Sequence, residues 1–504
     1  MTTTPSQSFD IVIVGSGFAG VAMAAQLKRR GMDDFVLLER ADDIGGTWRD
    51  NTYPGAACDV PSPLYSFSFR LNPDWSRLFA PGHEILRYLK DVAEEEGIMP
   101  HVRLSTPVEE AAWNEATGRW TVRTANSVFD ARVLVFGMGH LADEAMPAIP
   151  GLQGFTGDVF HSARWRHDID VSGKRIGIVG SGASAIQIVP EVAKSAAEVV
   201  VFQRSAPYIM PRLDRAFSES DRRTFRRNPD LMREMRENIF WYLESTFASR
   251  RGIPSYLKEN KRLALAHLNA QVQDETLRAV LTPDYEIGCK RVLLSNDYYP
   301  TMTRENVVVE PSALAGVDGA TAQGASGAGY DVDALIFCTG FEAARPPFAK
   351  IVRGRHGQTL EDAWADGMEA FASTTAHGFP NFFMLNGPNT GLGHNSIVYI
   401  IESQVDYVLE ALDWMEREGV ATLEPDAAAQ AAYVDGLQDQ ARGTVWLSNG
   451  CKSWYLDPGS RKLTLVWPDF THAFRHRNGS FSPSGYVAEP RAEPLVPTPV
   501  LADA

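Results

Sequence analysis

Cysteine is scarce, and the four present, Cys58, Cys289, Cys338 and Cys451, stand singly, with no C-x-x-C pair and no metal-like spacing. This excludes a local redox-active dithiol and a zinc knuckle. No apolar run reaches the roughly 20 residues that a membrane-spanning helix needs. The opening "MTTTPSQS" lacks the basic start and apolar centre of a secretory signal, so the cytoplasm is the expected compartment. Positive charge is short as well. With 48 Lys and Arg against 63 Asp and Glu, the formal net charge of −15 opposes unspecific binding to nucleic acid or an anionic membrane. Phosphate recognition, if present, must be local. The remainder reads as an ordinary globular chain long enough for about three domains, and no obligate protein partner is evident.

The first positive signal is "FDIVIVGSGFAGVAMAAQLKRRGMDDFVLLER". A continuous apolar strand runs into Gly15, Gly17 and Gly20, a segment of helical period follows, and a second apolar strand ends at Glu39. Gly15 permits the tight turn, Gly17 lets backbone approach a pyrophosphate, and Gly20 allows helix and strand to pack closely. The helix N-terminus then faces the phosphates. Glu39, 24 positions after Gly15, suits ribose hydroxyls.

A second copy, "GKRIGIVGSGASAIQIVPEVAKSAAEVVVFQRSAPY", begins its turn at Gly180, with Gly182 and Ala185 in the matching positions. It lies 165 residues after the first, about a domain's length. Where the first unit ends in Glu39-Arg40, the second ends in Gln203-Arg204. An acid there accepts from a free 2′-hydroxyl and repels a 2′-phosphate, whereas a neutral residue followed by Arg accommodates the phosphate. The first site is therefore expected to take FAD and the second NADPH, with Ser205 as a further phosphate donor.

Two strand–glycine–proline stretches, "ARVLVFGMGHLADEAMPAIPG" and "YDVDALIFCTGFEAARPP", look like crossings between nucleotide domains. The expected class is α/β, with two Rossmann-like dinucleotide-binding domains and the NADPH domain inserted in the FAD domain. Its parts are 1–149 (FAD), 150–342 (NADPH) and 343–485 (FAD again). Within the middle part, about 214–287 has helical period and alternating charge and reads as a helical insertion. Its aromatics Phe240, Trp241, Tyr242 and Phe247 fit helix packing better than a substrate cavity. The Pro/Ala-rich stretch 486–504 is expected to be a disordered tail.

Three further stretches carry candidate chemistry. "GGTWRDNTYPGAACD" offers Thr47, Trp48 and Asp59 near the first nucleotide site, and "GCKRVLL" places Lys290 and Arg291 at the return from the helical insertion. By composition alone, an Arg in such a loop is a surface cation or an ion-pair partner. "FTGDVFHSARW" sets Phe155, Gly157, His161 and Trp165 just ahead of the second glycine turn, at a domain crossing.

With these stretches in view, the chain resembles type I Baeyer–Villiger monooxygenases over nearly its whole length. "FTGDVFHSARW" fits that family's F-x-G-x-x-x-H-x-x-x-W signature, "GGTWRDNTYPGAACD" fits a second signature, and "GFPNFFMLNGPNTGLGHNS" resembles its C-terminal flavin-side segment. One departure is Arg166, where the family usually has Pro or Asp. The resemblance implies FAD, NADPH, O2 and a small-molecule ketone, which becomes an ester or lactone through a C4a-peroxyflavin. It implies that Arg291 stabilises the peroxide anion and that Asp59 positions it. Lys290 would help hold the NADP phosphate, Trp454 would close over the nicotinamide cofactor, and His161 and Trp165 would couple the domains during catalysis. For cofactor contact it adds Phe18, Tyr65 and Val108 in the first site, and Ala183, Ser184 and Gln187 in the second. No metal ligand is expected. The alternative is a flavin-containing monooxygenase acting on N or S atoms, a group that typically carries Tyr or Phe at the position of Trp165. A nucleotide-sensing binding protein would have no reason to keep Arg291, Asp59 and the linker signature together.

Overall fold

In the first apolar run, Ile11, Val12, Ile13 and Val14 are all buried, as a strand covered on both faces requires. This strand, Ser6–Val14, lies at the centre of an eight-stranded sheet, parallel to Phe35–Leu38 on one side and Val128–Phe136 on the other. The computed structural model describes residues 6–448 and 450–491. The sheet continues antiparallel from Val128–Phe136 to Arg119–Thr124 and Val108–Asn114, and it gains Val352–Arg353 and Phe382–Met384 from much later in the chain. The helix Phe18–Arg29, almost wholly buried, crosses its face.

A second sheet is entirely parallel, in the order Val307–Glu310, Glu198–Phe202, Arg175–Val179, Ala334–Phe337, Asp158–His161. Its strands all lie between the early and late strands of the first sheet, so one Rossmann-like unit is inserted in the other. The two connecting stretches run side by side. Ala145 donates its N–H to the Gly340 carbonyl at 2.9 Å, Glu342 donates to Asp143 at 2.9 Å, and the Thr339 hydroxyl donates to the Ala145 carbonyl at 2.6 Å.

Helices Glu219–Arg227, Pro229–Ser245, Phe247–Arg250, Pro254–Gln271 and Glu275–Val280 form the expected insertion. The period through 258–281 predicts one helix, but the chain breaks at Val272–Asp274, where the Asp274 side chain accepts the Leu277 N–H and starts a new one. Phe240 and Phe247 are packed inside, while Trp241 and Tyr242 are exposed. The first half of the insertion leans on the first unit: Phe217, Phe225, Met232 and Phe240 share a core with Ile85, Tyr88 and Val398. Arg236 donates to the carbonyls of Pro63, Leu64 and Ser66 and pairs with Glu402 at 3.5 Å, so its charge is buried among acceptors.

Two expectations need correction. Cys289 and Cys451 do not stand singly: they form a disulfide across a separation of 162 residues. Spacing gave no sign of it because the pairing is purely tertiary. The presumed disordered tail begins too early, since Tyr486–Pro490 is a strand antiparallel to Val420–Pro425. Proline does not prevent this in a two-stranded edge, and the Tyr486 hydroxyl lies 2.6 Å from that of Tyr407 and 2.8 Å from that of Thr375. The rest of that stretch, 492–504, lies outside the described residues. Among the described residues no helix is long and apolar enough to cross a membrane, and no group of His, Cys, Asp or Glu could hold a metal ion.

Candidate active site

Both glycine turns open into one continuous cavity of about 1330 Å³. This exceeds the usual volume of a site for one small ligand. At the first turn Gly15 has φ +95°, and a Cβ there would meet the Gly137 carbonyl oxygen at 2.9 Å. At the second, Gly180 has φ +117° and a Cβ would meet the Cys338 carbonyl oxygen at 2.6 Å. These two glycines are required by the fold itself. Gly17 and Gly182 are different: a Cβ at Gly17 would find nothing nearer than 3.8 Å, and one at Gly182 nothing within 4 Å. Each borders the cavity, so what a methyl would obstruct there is a ligand. Gly20 and Ala185 belong to the packing instead, since neither lines the cavity and a Cβ on Gly20 would lie 1.8 Å from the Gly15 carbonyl oxygen. Gly20, expected at the cofactor, thus serves the packing of the turn and does not line the cavity.

The strand ends keep the contrast read in the sequence. Glu39 is buried at the cavity wall, accepting from the Ser16 N–H and hydroxyl at 3.0 and 2.6 Å and from the Ala41 N–H at 2.9 Å, with Arg49 at 2.9 Å. At the other site Gln203 turns away and donates to the Val280 carbonyl at 3.0 Å, leaving exposed Arg204 and Ser205 at the wall. Lys290 donates to the Ser205 hydroxyl at 2.7 Å, above the Tyr285 ring. Burial, and then the Arg204 charge, lower the Lys290 pKa. Two cations held this close form a site for an anion.

Thr47, Trp48, Tyr65 and Val108 line the first-site part of the cavity, with the Trp48 indole donating to the Tyr65 hydroxyl at 3.2 Å. Phe18 stands edge-on to Tyr65, centroids 5.0 Å apart. Ala183 and Ser184 line the second part. Gln187 ties the two units, accepting from the Tyr53 hydroxyl at 3.1 Å and donating to the Ala57 carbonyl at 3.0 Å.

Between the two parts, the Arg291 guanidinium meets Asp59 in a fork, Nε to one oxygen at 2.6 Å and Nη2 to the other at 2.7 Å, while Nη1 donates to the Leu392 carbonyl at 3.1 Å. Burial alone would raise the Asp59 carboxyl, but Arg291 outweighs it and holds the group below its ordinary value. The Asp59 charge in turn lifts Arg291 further above the usual guanidinium value. Composition alone makes Arg291 a loop cation, because nothing local marks its partner. Its partner lies 232 residues away.

A family model described as flavin-binding monooxygenase-like matches residues 9–356. The chain belongs to that family. A Baeyer–Villiger monooxygenase of Pseudomonas aeruginosa is 43% identical over 486 residues, covering 96% of this chain and 92% of that one. Among solved structures, an oxidised steroid monooxygenase bound to NADP is similar at TM-score 0.84 and 31% identity, covering 96% of this chain and 99% of the other. OTEMO in complex with FAD and NADP is similar at TM-score 0.84 and 27% identity, covering 96% and 100%.

Two residues expected to act in this flavin-binding monooxygenase-like site are not in the cavity wall. His161 ends the edge strand of the inserted sheet, paired with Phe337 and 3% exposed. Its Nδ1 accepts the Ala163 N–H at 3.1 Å, and its ring stands 5.9 Å from that of Phe341 on the returning crossing. Burial lowers its pKa. Trp165 packs edge-on against Phe160 at 5.3 Å in the inserted unit's core. Neither lines the cavity: His161 packs against the returning crossing, and half-buried Trp165 packs against the inserted unit's core. Trp454 is half exposed at the cavity rim.

Two wall residues escaped the sequence reading. His140, after the strand Val128–Phe136, stands 3.3 Å from the Thr390 hydroxyl, and burial takes its pKa down to about 4. Tyr455 lies next to Trp454 but is 3% exposed. No local pattern marks either one; only their place in the fold does.

Proposed function

We propose that this chain is an NADPH-dependent Baeyer–Villiger monooxygenase, which takes a small-molecule ketone, O2, NADPH and a proton to an ester or lactone, water and NADP+. The observation that carries the reading is the Arg291–Asp59 fork set in one cavity between two dinucleotide turns. The residues fit the cofactors. Gly17 and Gly182 leave room where a pyrophosphate would approach, Glu39 lies at the wall where a ribose would sit, and Arg204, Ser205 and Lys290 gather positive charge and donors for a 2′-phosphate. FAD would be held by Gly15, Gly17, Phe18, Glu39, Thr47, Trp48, Tyr65 and Val108, and NADPH by Gly180, Gly182, Ala183, Ser184, Gln187, Arg204, Ser205, Lys290 and Trp454.

Bound FAD, reduced by NADPH, supplies the electrons that activate O2 for attack on a carbonyl. The protein supplies the electrostatics. Negative charge develops as oxygen adds to the ketone, and Arg291 offers a permanent cation that stabilises an anion without protonating it. Asp59 takes two of its donors and the Leu392 carbonyl a third, so the guanidinium plane is fixed before substrate arrives. Trp454 at the rim is suited to excluding water once a cofactor is seated. His161 and Trp165 act at the crossings, where domain rotation would be transmitted. The parts 1–149, 150–342 and 343–485 are the proposed domains, and the cytoplasm the proposed compartment.

The test is to incubate the purified protein with NADPH, O2 and a panel of linear, cyclic and aryl ketones, and to examine products by mass spectrometry. One inserted oxygen atom in a ketone is expected. Oxygenation confined to amines and sulfides would favour the flavin-containing monooxygenase alternative.

A further inference from the structure

We propose that Arg212 is a positioning residue for oxygen transfer, holding the main chain of Cys58 so that the neighbouring Asp59 carboxylate stays aligned on Arg291. The inference rests on the Baeyer–Villiger reading above and deepens it, by adding the group on which the Arg291–Asp59 fork depends.

Arg212 and Arg291 flank one small parallel sheet of the inserted unit, Ile209–Met210 with Leu293–Leu294. Arg212 follows the first strand, and Arg291 precedes the second. The Asn296 side chain locks the Arg212 main chain at the end of that sheet, accepting its N–H at 3.0 Å and donating to its carbonyl at 2.8 Å. From there the guanidinium crosses the Phe79 ring, 5.0 Å from its centroid, and Nη2 donates to the Cys58 carbonyl at 2.9 Å. A longer contact reaches the Phe79 carbonyl at 3.5 Å. The two arginines thus grip consecutive residues of the host unit, Arg291 the Asp59 carboxylate and Arg212 the carbonyl just before it.

Docking of this segment does not need the Arg212 side chain. Main-chain bonds already lace it to the host, with Leu78 donating to the Arg215 carbonyl at 2.9 Å and Phe217 to the Ser76 carbonyl at 2.8 Å. The guanidinium is half-buried, and its Nε has no partner among the described residues. Burial lowers its pKa, and Asp214, the acid that most opposes this, is itself paired with Arg77 at 2.8 Å and accepts the Phe79 N–H at 3.2 Å. Keeping a poorly compensated cation there is costly, and a neutral side chain would cover Phe79 as well. What the cation adds falls on Asp59: burial raises that carboxyl, Arg291 brings it below its ordinary value, and Arg212 lowers it further. Arg212 does not line the cavity, so it acts through Asp59 and not on a ligand. Both Asp59 oxygens are given to Arg291, and their aim is set by where the Cys58–Asp59 main chain lies. Small displacements of a reacting site lose much of its rate.

The experiment is a double-mutant cycle on the holoenzyme: Arg212→Met, Asp59→Ala and the two combined, with Arg212→Lys beside them. FAD content, anaerobic flavin reduction by NADPH, ester kcat and ketone KM are read, with a ketone that the panel identifies. Arg212→Met should retain FAD and keep flavin reduction and ketone KM within about two-fold. Its ester kcat should fall about ten-fold, by no more than Asp59→Ala costs, with NADPH then consumed without matching ester. On top of Asp59→Ala the same change should cost less than about two-fold, because the two residues act as one unit. Arg212→Lys, which keeps the charge and a donor, should recover most of the loss. An equal loss in both backgrounds would overturn the proposal, since Arg212 would then serve the fold at large. Undiminished ester kcat, or a parallel fall in flavin reduction, would overturn it too. If Arg212→Met does not retain FAD, Arg212→Gln, neutral and shorter, takes its place in the cycle on the same criteria. No ester from the unaltered enzyme with any ketone sinks the functional reading and the proposal together, whereas ester from it with additive losses sinks the proposal alone.

Discussion

At the scale of single residues, the site depends on groups whose meaning comes from partners far away in sequence. Arg291→Ala should still bind FAD and keep part of its flavin reduction while losing ester formation by about 10²-fold or more. Arg291→Lys should rescue little, since an ammonium lacks the planar fork that Asp59 and the Leu392 carbonyl hold. Asp59→Ala should give a milder defect, leaving the cation without its guide. Paired stopped-flow reduction and ester yields check all three, and near-normal ester from Arg291→Ala would return it to an ordinary loop cation. Because Asp59 is held below the ordinary carboxylate value, its contribution is present above about pH 4 and is lost only as acid protonates it. An acid limb of ester formation near neutrality would therefore have to come from another group. Arg204→Ala should raise the KM for NADPH much more than that for NADH, since only NADPH carries the 2′-phosphate; equal effects would count against the assignment. Arg204 was legible in sequence because a strand end and its neighbour are local. The pairing of Arg291 with Asp59 and the burial of Tyr455 were not legible from local pattern, since the one acts across 232 residues and the other arises from the fold alone.

At the scale of elements, the two strand–glycine–helix units were the most readable part of the chain, because apolar periodicity and turn chemistry are both written within some 30 residues. The structure separates roles that the glycine spacing merged. Gly20→Ala should disrupt the first unit, with a methyl driven onto the Gly15 carbonyl. Gly182→Ala meets no protein atom, and as an N-cap change it should cost only on the order of 1 kcal/mol. It should nonetheless raise the NADPH KM at least ten-fold by obstructing the backbone's approach to pyrophosphate. Thermal unfolding and NADPH titration together check this: intact unfolding with intact affinity would mean that the second turn does not cradle phosphate. Reading was poorer where a side chain overrides periodicity. Asp274 caps the start of a new helix where the apolar pattern would have run one helix through, and the strand Tyr486–Pro490 gains its order from Tyr407 and Thr375, which no reading of its proline-rich neighbourhood supplies.

For the whole molecule, the question is what keeps an inserted unit in register with its host. Two hydrogen-bonded crossings form the non-covalent link, and the helical insertion adds a second by burying Phe217, Phe225 and Met232 in the host core. Cys289–Cys451 adds a third, joining the segment that carries Lys290 and Arg291 to the one that carries Trp454. Cys58 and Cys338 are buried and free. Alkylation under denaturing conditions should therefore label two cysteines without reductant and four after reduction, read by mass spectrometry. In a chain-entropy account, a loop this long stabilises the oxidised form by up to about 5 kcal/mol, though the packing around both ends already restricts them. A two-domain enzyme of this size is better followed by its rate of inactivation than by an equilibrium. The half-life of activity at elevated temperature should shorten on reduction and in Cys451→Ser, while Cys338→Ser should not make it depend any less on reductant. Because the disulfide connects the two sides of the cavity, reduction should also loosen NADPH binding before it affects FAD retention. If all four cysteines label without reductant in freshly purified protein, the pair works as two thiols in the cell, and the crossings and the insertion alone keep the domains in register.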